Sequence, residues 1–344
     1  MAHGGKDPVT GCDFGLPAGT TEGAMPTQPE GVLMRRQASL VAALLSALIL
    51  AIAAGGTAGA SASTGAPCGA LPLSSTSYTH VIWLWMENHS YDKIIGSPEA
   101  PYINSLANQC GLATNYHNIS HPSLPNYIAG TSGLALGQLT KFDSDCNPSR
   151  RCSTPASSIF SQVPSWKAYE ESMPKNCDRK SAGEYAVRHN PPPYYTSLAE
   201  CATKDVPYTQ LAADLASGTL PAFSFITPNV IDDMHDGTVA QGNAWLASNV
   251  PTILSSSEYQ SGTTALIITW DEGEEGTSND CATNTTDVGC HVATIVVSPS
   301  TPPGTQSSTL FNHYSLLGST EQLLGVPPLG EAASAGSMLA AFNL

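Results

Sequence analysis

Two acidic segments of the sequence each follow a long apolar run, and their side chains are suited to binding a metal ion. Glu87 and Asn88 follow one such run, and Asp271 and Glu272 follow another. Carboxylate and amide oxygens are hard donors of the kind that bind divalent cations. Crowded carboxylates repel one another and raise their pKa values, and a bound cation offsets that repulsion. The simpler alternatives are a polar turn after the first run and a solvated acidic loop after the second.

A third segment contains a serine that could act as a nucleophile. Ser123 lies two residues before Pro125, and proline is well tolerated in the first turn of a helix. A helix N-terminus presents free N–H groups and the positive end of the helix dipole, which favour a phosphate group. A serine hydroxyl is a weak nucleophile unless a base or a metal activates it. The alternative is that Ser123 only caps the helix, which is the more frequent role of such serines.

Hydrophobic patterning predicts the elements that position these residues. Unbroken runs of β-branched and aromatic residues indicate strands buried on both faces, as in a parallel sheet. The predicted strands are residues 79–86, 222–227, 264–270 and 291–298, and the predicted helices are residues 101–108, 125–131, 161–172, 239–255 and 314–325. This alternation predicts an α/β fold with a mainly parallel sheet sandwiched by helices. Ligands of such sheets bind beyond the carboxyl ends of the strands, where both acidic segments would meet.

Composition and loop content limit the functions that are compatible with the chain. Its 344 residues include 13 Lys+Arg and 28 Asp+Glu, which gives a formal net charge of −15. Such an acidic surface repels nucleic acid and anionic membranes, so we expect no nucleic-acid partner. We also expect a monomeric protein. Residues 136–160 and 173–200 are rich in Pro, Ser and Cys, and loops of that length usually cover or shape a site. Residues 76–344 are predicted to form one domain.

The N-terminal region indicates export. Residues 1–33 show no hydrophobic periodicity and are predicted to be disordered, or to result from a mis-assigned start with Met34 as the true first residue. Residues 34–62 combine two arginines, an apolar run and small residues suited to cleavage, which is typical of a secretory signal peptide. The run is short for a membrane span, although an uncleaved anchor is the alternative. With residues 63–75 as a linker, the sequence predicts a secreted protein.

Cysteine usage agrees with export. Of the 9 Cys, only Cys12 precedes the predicted signal peptide, which leaves eight in the exported part. An even number of cysteines in an exported chain implies disulfides. Eight cysteines allow about 105 connectivities, and the sequence does not settle which one forms. We predict that the local pairs Cys146–Cys152 and Cys281–Cys290 staple loops, in which case Cys177–Cys201 and Cys68–Cys110 would follow.

Several polar segments occur in a fixed order along the chain: residues 86–92, 121–127 with 130–133, 188–191 and 269–273. This ordered set resembles the bacterial phosphoesterase family of secreted acid phosphatases and phospholipase C enzymes, within the alkaline phosphatase superfamily. The chain looks most similar to the smaller actinobacterial acid phosphatases that act on phosphoinositides. The resemblance covers most of residues 76–326 and implies an alkaline-phosphatase-like fold.

The resemblance also implies a metal site. Glu87 and Asn88 match the first metal-binding pair of the family, and Asp271 and Glu272 match the second. These residues would hold a divalent metal ion whose identity the sequence leaves open. Members of the family often have two aspartates in the second pair, so Glu272 is a departure from the pattern.

Further residues match the family's catalytic and substrate-binding positions. Ser123 matches the nucleophile, which becomes phosphorylated and also contacts the metal. His189 and His235 match histidines that hold the phosphate or protonate the leaving oxygen. Another family histidine lies upstream of the nucleophile, and both His117 and His121 could match it. We expect Asn88, Asn126 and His121 to bind substrate.

These observations predict a secreted, metal-dependent phosphomonoesterase that acts through a phosphoserine intermediate. Its substrates would be phosphate esters, with phosphatidylinositol 3-phosphate and other phospholipid headgroups as candidates. One alternative is a phospholipase C-type phosphodiesterase on the same scaffold. A second is a catalytically silent binding protein, against which the retained Ser123 argues.

Overall fold

A computed structural model describes residues 66–274 and 278–344. The predicted N-terminal extension at residues 1–33 and the predicted signal peptide at residues 34–62 lie outside the described residues. In the part of the chain that the structure describes, no helix is both long and apolar enough to cross a bilayer. The described part of the predicted linker is attached to the rest of the fold, because the N–H groups of Gly69 and Leu71 donate to backbone carbonyls at residues 298 and 299.

A mixed sheet of eight strands organises the fold, and a second sheet has two strands. The strands are β1 (His80–Met86), β2 (Gly111–Ala113), β3 (Tyr116–His117), β4 (Trp166–Glu170), β5 (Asp205–Pro207), β6 (Phe223–Thr227), β7 (Thr264–Trp270), β8 (Thr294–Val297), β9 (Thr305–Ser307) and β10 (Phe311–Asn312). The order in the large sheet is β5-β4-β6-β1-β7-β8-β2-β9, and β3 pairs with β10. Within the large sheet, β8 alone is antiparallel to its neighbours. The predicted α/β fold with a mainly parallel sheet is confirmed.

The helices are mostly short, and the longer ones pack in pairs. They are α1 (Tyr91–Ile94), α2 (Pro101–Gln109), α3 (Ser123–Ser132), α4 (Leu136–Leu139), α5 (Ile159–Gln162), α6 (Cys201–Lys204), α7 (Gln210–Ser217), α8 (Val239–Leu254), α9 (Ser257–Gln260), α10 (His313–Leu324) and α11 (Leu339–Phe342). Helix α10 packs against α3 and β1, and α2 packs against α8 and β8. Trp83 of β1 donates a hydrogen bond to Thr320 of α10 at 2.9 Å, so the strand and this helix are also joined by a polar contact.

The register of the two central strands determines where the acidic segments lie. Strands β1 and β7 are parallel, and Met86 pairs with Trp270 at their carboxyl ends. Every residue of β7 is buried, as are all residues of β1 except His80. Because both strands end at the same level of the sheet, the residues that follow them begin side by side.

Most predicted long elements are confirmed, and one is wrong. The strands expected at residues 79–86, 222–227 and 264–270 agree with β1, β6 and β7 to within one residue. The helix expected at residues 161–172 is instead the end of α5 followed by strand β4. Pro164 lies between them, and its missing N–H and its ring are incompatible with a helix interior.

The four predicted disulfides are all present in the structure. They are Cys68–Cys110, Cys146–Cys152, Cys177–Cys201 and Cys281–Cys290. The second disulfide lies within the loop predicted at residues 136–160, and the third joins Cys177 of the loop predicted at residues 173–200 to Cys201, which directly follows that loop. Both loops contain only short helical turns in the structure, so the predicted stapled loops are confirmed.

Candidate active site

Ser123 is the first residue of α3, and its hydroxyl points toward carboxylates. Its Oγ lies 3.1 Å from Oε2 of Glu87 and 3.3 Å from Oε1 of Glu272. Pro122 occupies the N-cap position, and α3 has no capping hydrogen bond from the side chain of that residue. The hydroxyl of Ser123 is therefore directed into an acidic cluster, and the alternative in which this serine only caps the helix does not account for its contacts.

The two acidic segments lie side by side at the carboxyl ends of β1 and β7. The N–H of Asn88 donates to Oδ1 of Asp271 at 3.0 Å, and the N–H of Asp271 donates to the carbonyl of Met86 at 2.9 Å. Asn88 adopts a left-handed conformation with φ of 57°, which asparagine tolerates better than most residues. Glu87 and Asp271 are fully buried, and Glu272 is nearly so. The structure thus brings together the predicted metal-binding residues.

Burial gives these carboxyl groups unusual acid strengths. Burial, followed by the charges of Asp271 and Asp233, raises the pKa of Glu87 well above its usual value. Burial and the neighbouring Glu272 raise the pKa of Asp271 to about 7. The pKa of Glu272 is also raised well above its usual value, mainly by burial. The cluster therefore opposes its own ionisation and would ionise readily if a cation were bound.

The donor set fits a divalent cation. The ion pairs that Glu87 and Glu272 form within residues 66–274 and 278–344 are with histidines rather than with Lys or Arg. Oδ2 of Asp271 is buried and accepts no hydrogen bond from any described residue. Three carboxylates and the Ser123 hydroxyl in one buried space are the hard oxygen ligands that such a cation prefers.

Tyr127 supports the cluster from one turn further along α3. Its hydroxyl donates a short hydrogen bond to Oε1 of Glu87. Its ring lies between Trp85 and His189, with ring-centre distances of 4.8 and 5.6 Å. Sequence reasoning did not assign Tyr127 a role, although its i+4 spacing from Ser123 places both side chains on one helix face.

His189 bridges two buried carboxylates. Its Nδ1 lies 3.0 Å from Oδ2 of Asp233, and its Nε2 lies 3.3 Å from Oε1 of Glu87. The residue is 2% exposed, and burial lowers its pKa well below the usual value. Asp233 also accepts the N–H of His235 at 2.7 Å through Oδ1, and its carbonyl accepts the N–H of Glu87 at 2.9 Å. Sequence reasoning missed Asp233 as the residue that connects both histidines to the cluster.

His235 lies nearer the solvent. Its Nδ1 donates to Oδ1 of Asp236 at 2.7 Å, and its Nε2 accepts a hydrogen bond from Arg188 at 3.1 Å. Its ring centre is 5.4 Å from that of His189. Met234, with φ of 85°, forms the turn that leads from Asp233 to His235. His235 is therefore the more accessible of the two predicted catalytic histidines.

His121 and Asn126 occupy different positions around Ser123. Nδ1 of His121 lies 2.5 Å from Oε2 of Glu272, so this histidine borders the cluster. Asn126 is fully buried, and its amide bonds the backbone of residues 119, 120 and 122. It holds the loop that leads into α3, and a substrate contact by Asn126 stays a prediction. His117 instead contacts Asn115 and stacks on a histidine outside the cluster.

Comparisons with known proteins found a matching family and several similar proteins. The Phosphoesterase family matches residues 96–327, a segment that begins after Asn88 and includes Ser123 and Asp271. A phosphatidylinositol-3-phosphatase of Mycobacterium tuberculosis is 32% identical over 260 residues, which are 75% of this chain and 81% of that protein. An acid phosphatase of Aspergillus fumigatus is 27% identical over 272 residues, which are 75% of this chain and 57% of that protein. The chain thus spans less than two thirds of this fungal relative.

Solved structures with little sequence similarity share the fold. An alkaline phosphatase superfamily protein from Vibrio parahaemolyticus has a TM-score of 0.50 at 10% identity, over 76% of this chain and 71% of that one. Murine ectonucleotide pyrophosphatase/phosphodiesterase 5 has a TM-score of 0.52 at 10% identity, over 77% of this chain and 99% of that one. These similarities confirm the alkaline-phosphatase-like fold.

Proposed function

Because this chain belongs to the Phosphoesterase family, we propose that it hydrolyses phosphoric monoesters with Ser123 as the nucleophile and a divalent cation in the adjacent carboxylate cluster. The observation that carries the proposal is the position of the Ser123 hydroxyl between Glu87 and Glu272. Membership of the family and similarity to phosphatases support the assignment as a phosphoric monoester hydrolase. The residues of the site are the basis of the proposed mechanism.

Glu87, Asn88, Asp271 and Glu272 would hold the cation. When bound, a divalent cation lowers the pKa of a coordinated hydroxyl and offsets charge on phosphoryl oxygens. Tyr127 fixes the orientation of Glu87 by donating to its Oε1 atom, and Nε2 of His189 lies 3.3 Å from the same oxygen. We assign His189 this positioning role because it is buried between two carboxylates.

The chain's own residues perform the transfer in two steps. Ser123 Oγ forms a bond to phosphorus, the bond from phosphorus to the alcohol oxygen breaks, and the hydroxyl proton passes to a carboxylate of the cluster. His235, the more exposed histidine, takes up a proton at Nε2 and donates it to the departing oxygen, because histidine is the side chain most often used for such proton transfers. Water then attacks phosphorus and the bond from phosphorus to Oγ breaks. One proton of the water passes to His235, and the proton held by the cluster carboxylate returns to Oγ, so inorganic phosphate leaves and the serine is regenerated. Asn88 would donate a hydrogen bond to a phosphoryl oxygen.

The substrate and cellular location are proposed from the relatives and the sequence. The mycobacterial relative is a phosphatidylinositol-3-phosphatase, so phosphatidylinositol 3-phosphate is the first lipid substrate to test. We propose secretion by the signal peptide at residues 34–62, which would place the disulfide-bonded domain in an oxidising compartment.

Ser123→Ala tests the proposal directly. We expect hydrolysis of p-nitrophenyl phosphate to fall by at least about 10³-fold, because the nucleophile is lost. Ser132→Ala is a matched control, since it removes a serine hydroxyl from the same helix, where that hydroxyl donates to the carbonyl of Ile128 and accepts the N–H of Leu134. Radiolabelled phosphate should be trapped on the acid-quenched wild-type protein and on Ser132→Ala, but not on Ser123→Ala. Equal rates for the folded Ser123→Ala and wild-type proteins would remove the serine from the mechanism.

Metal dependence has a separate test. Dialysis against a chelator should abolish activity, and addition of single divalent cations should restore it and identify the metal. The circular dichroism spectrum checks that the dialysed protein remains folded. Full activity after exhaustive chelation would contradict the assigned metal site.

A further inference from the structure

Arg188 brings a guanidinium group to the mouth of the acidic site. It directly precedes His189, and its side chain is about a quarter exposed. Its Nη2 donates to Nε2 of His235 at 3.1 Å, and its Nε lies 3.9 Å from Oδ2 of Asp145. At that distance the Asp145 contact is a loose ion pair rather than a hydrogen bond. The guanidinium has five N–H groups, so donors remain for an incoming ligand.

Asp145 occupies a position that suits an oxyanion. Its Oδ1 accepts the N–H of Leu124 at 2.9 Å, and Leu124 is the residue immediately after Ser123. Asp145 lies next to the Cys146–Cys152 disulfide and adopts a left-handed conformation with φ of 49°. One backbone N–H beside the nucleophile and one guanidinium thus face the same carboxylate. Those are groups that bind the oxygens of phosphate.

The charge of the site calls for a positively charged side chain, besides the metal ion, when a phosphomonoester binds. A phosphomonoester carries nearly two negative charges at neutral pH, whereas a phosphodiester carries one. The cluster contains the carboxylates of Glu87, Asp271 and Glu272, so one divalent cation does not neutralise both the protein groups and a dianionic substrate. A guanidinium can bind two phosphate oxygens at once, and a diester offers one fewer anionic oxygen for that contact.

We propose that Arg188 binds the non-bridging oxygens of the substrate phosphate and so selects dianionic monoesters over monoanionic diesters, with Asp145 competing for it in the free enzyme. This inference rests on the proposed function and adds the residue that determines its substrate class. When Arg188 turns to the phosphate, Nε2 of His235 loses its present donor and can take up a proton from water, which it then donates to the leaving oxygen.

The decisive variant is Arg188→Ala. For this variant we expect kcat/KM for p-nitrophenyl phosphate to fall about 10- to 100-fold, the range for losing one charge-assisted contact. The Ki of inorganic phosphate should rise by a similar factor. Hydrolysis of methyl p-nitrophenyl phosphate, a diester, should change by less than about threefold, since it lacks the second anionic charge. The kcat/KM of Arg188→Lys for p-nitrophenyl phosphate should lie between those of wild type and Arg188→Ala, because lysine keeps the charge but lacks the planar guanidinium.

Two further variants test the direction of the effect. Arg150→Ala removes the same charge from an exposed position and should match wild type on both substrates. Asp145→Asn keeps an acceptor for the Leu124 N–H but removes the competing charge, so it should lower the Ki of inorganic phosphate. An unchanged phosphate Ki in Arg188→Ala, or an equal loss on monoester and diester, would overturn the proposal. An inactive Ser123→Ala beside an unaffected Arg188→Ala would refute this inference and leave the proposed function standing.

Discussion

The pair formed by Glu170 and Asp205 predicts that this protein is more stable in mild acid than at neutral pH. Glu170 ends β4, Asp205 begins the neighbouring β5, and both side chains are buried. The amide of Asn190 donates to Oδ2 of Asp205 at 2.9 Å. Oδ1 of Asp205 and Oε1 of Glu170 accept no hydrogen bond from any residue within 66–274 and 278–344. Two buried carboxyl groups with so few donors favour a protonated state.

The pKa values set the pH range of this effect. Burial raises the pKa of Asp205 to about 8. Burial, followed by the charge of Asp205, raises the pKa of Glu170 well above its usual value. In the unfolded chain both groups lose their protons near pH 4. The folded state therefore holds more protons than the unfolded state from about pH 4 to about pH 8, and its stability falls as the pH rises through that range.

The magnitude follows from the number of protons retained. If the folded pair keeps one proton that the unfolded chain has lost, its contribution to stability falls by about 3 kcal/mol between about pH 5 and about pH 7. Neutral amides of the same shape mimic the protonated groups, so the double variant Glu170→Gln/Asp205→Asn should lose this part of the pH dependence. It should gain stability relative to wild type as the pH rises.

Urea unfolding of the chelated, disulfide-intact protein provides the assay. Tryptophan fluorescence can report the transition, because Trp83, Trp85, Trp166 and Trp270 are all buried. The difference in unfolding free energy between the double variant and wild type is measured from about pH 4.5 to about pH 7.5. Glu99→Gln, a charge removal at an exposed position, should leave the pH dependence of wild type unchanged. Parallel pH profiles for wild type and the double variant would refute the reasoning.

Two other predictions concern the packing around the site. A Cβ on Gly130 would lie 2.8 Å from a ring carbon of Trp85, so Gly130→Ala should destabilise the fold by about 1–3 kcal/mol in urea unfolding. An unchanged midpoint would show that the Trp85 ring can move aside. Tyr127→Phe keeps the ring but removes the hydrogen bond to Glu87, so about 10-fold more metal should be needed for half-maximal activity. An unaltered metal titration would mean that Glu87 is held without Tyr127.

The central strands could be predicted from the sequence because they are buried on both faces. Strands β1 and β7 are continuous apolar runs, and the polar residues that end them are equally visible. Strand β4 could not be predicted in this way, because it includes Lys167 and the buried Glu170. Its identity as a strand depends on pairing with β5 and β6, which are far away in the chain.

Some residues of the candidate site could likewise be predicted from the sequence, and others could not. Ser123 and the acidic residues follow directly from strand ends and a helix start, and the structure brings them together. The contacts of Asp145 and Arg188, and those of Asp233 with His189 and Glu87, depend on separate loops meeting, so no local pattern predicts them. The spacing of Asp233 two residues before His235 is the one local signal, since short polar side chains often bond backbone groups two residues further on.

The arrangement of the site also explains why so many loops of this chain are cross-linked. Each buried carboxylate in the cluster opposes folding unless it is protonated or paired, so the scaffold must hold the loops in place against that cost. Strands β1 and β7 hold Glu87 and Asp271 within the buried core, and Tyr127 and Asp233 hold the surrounding side chains. The loop that contains Asp145 and the loop that contains Arg188 have no strand to fix them. Disulfides limit the freedom of both loops instead, and the groups that would meet a phosphate therefore remain close to Ser123.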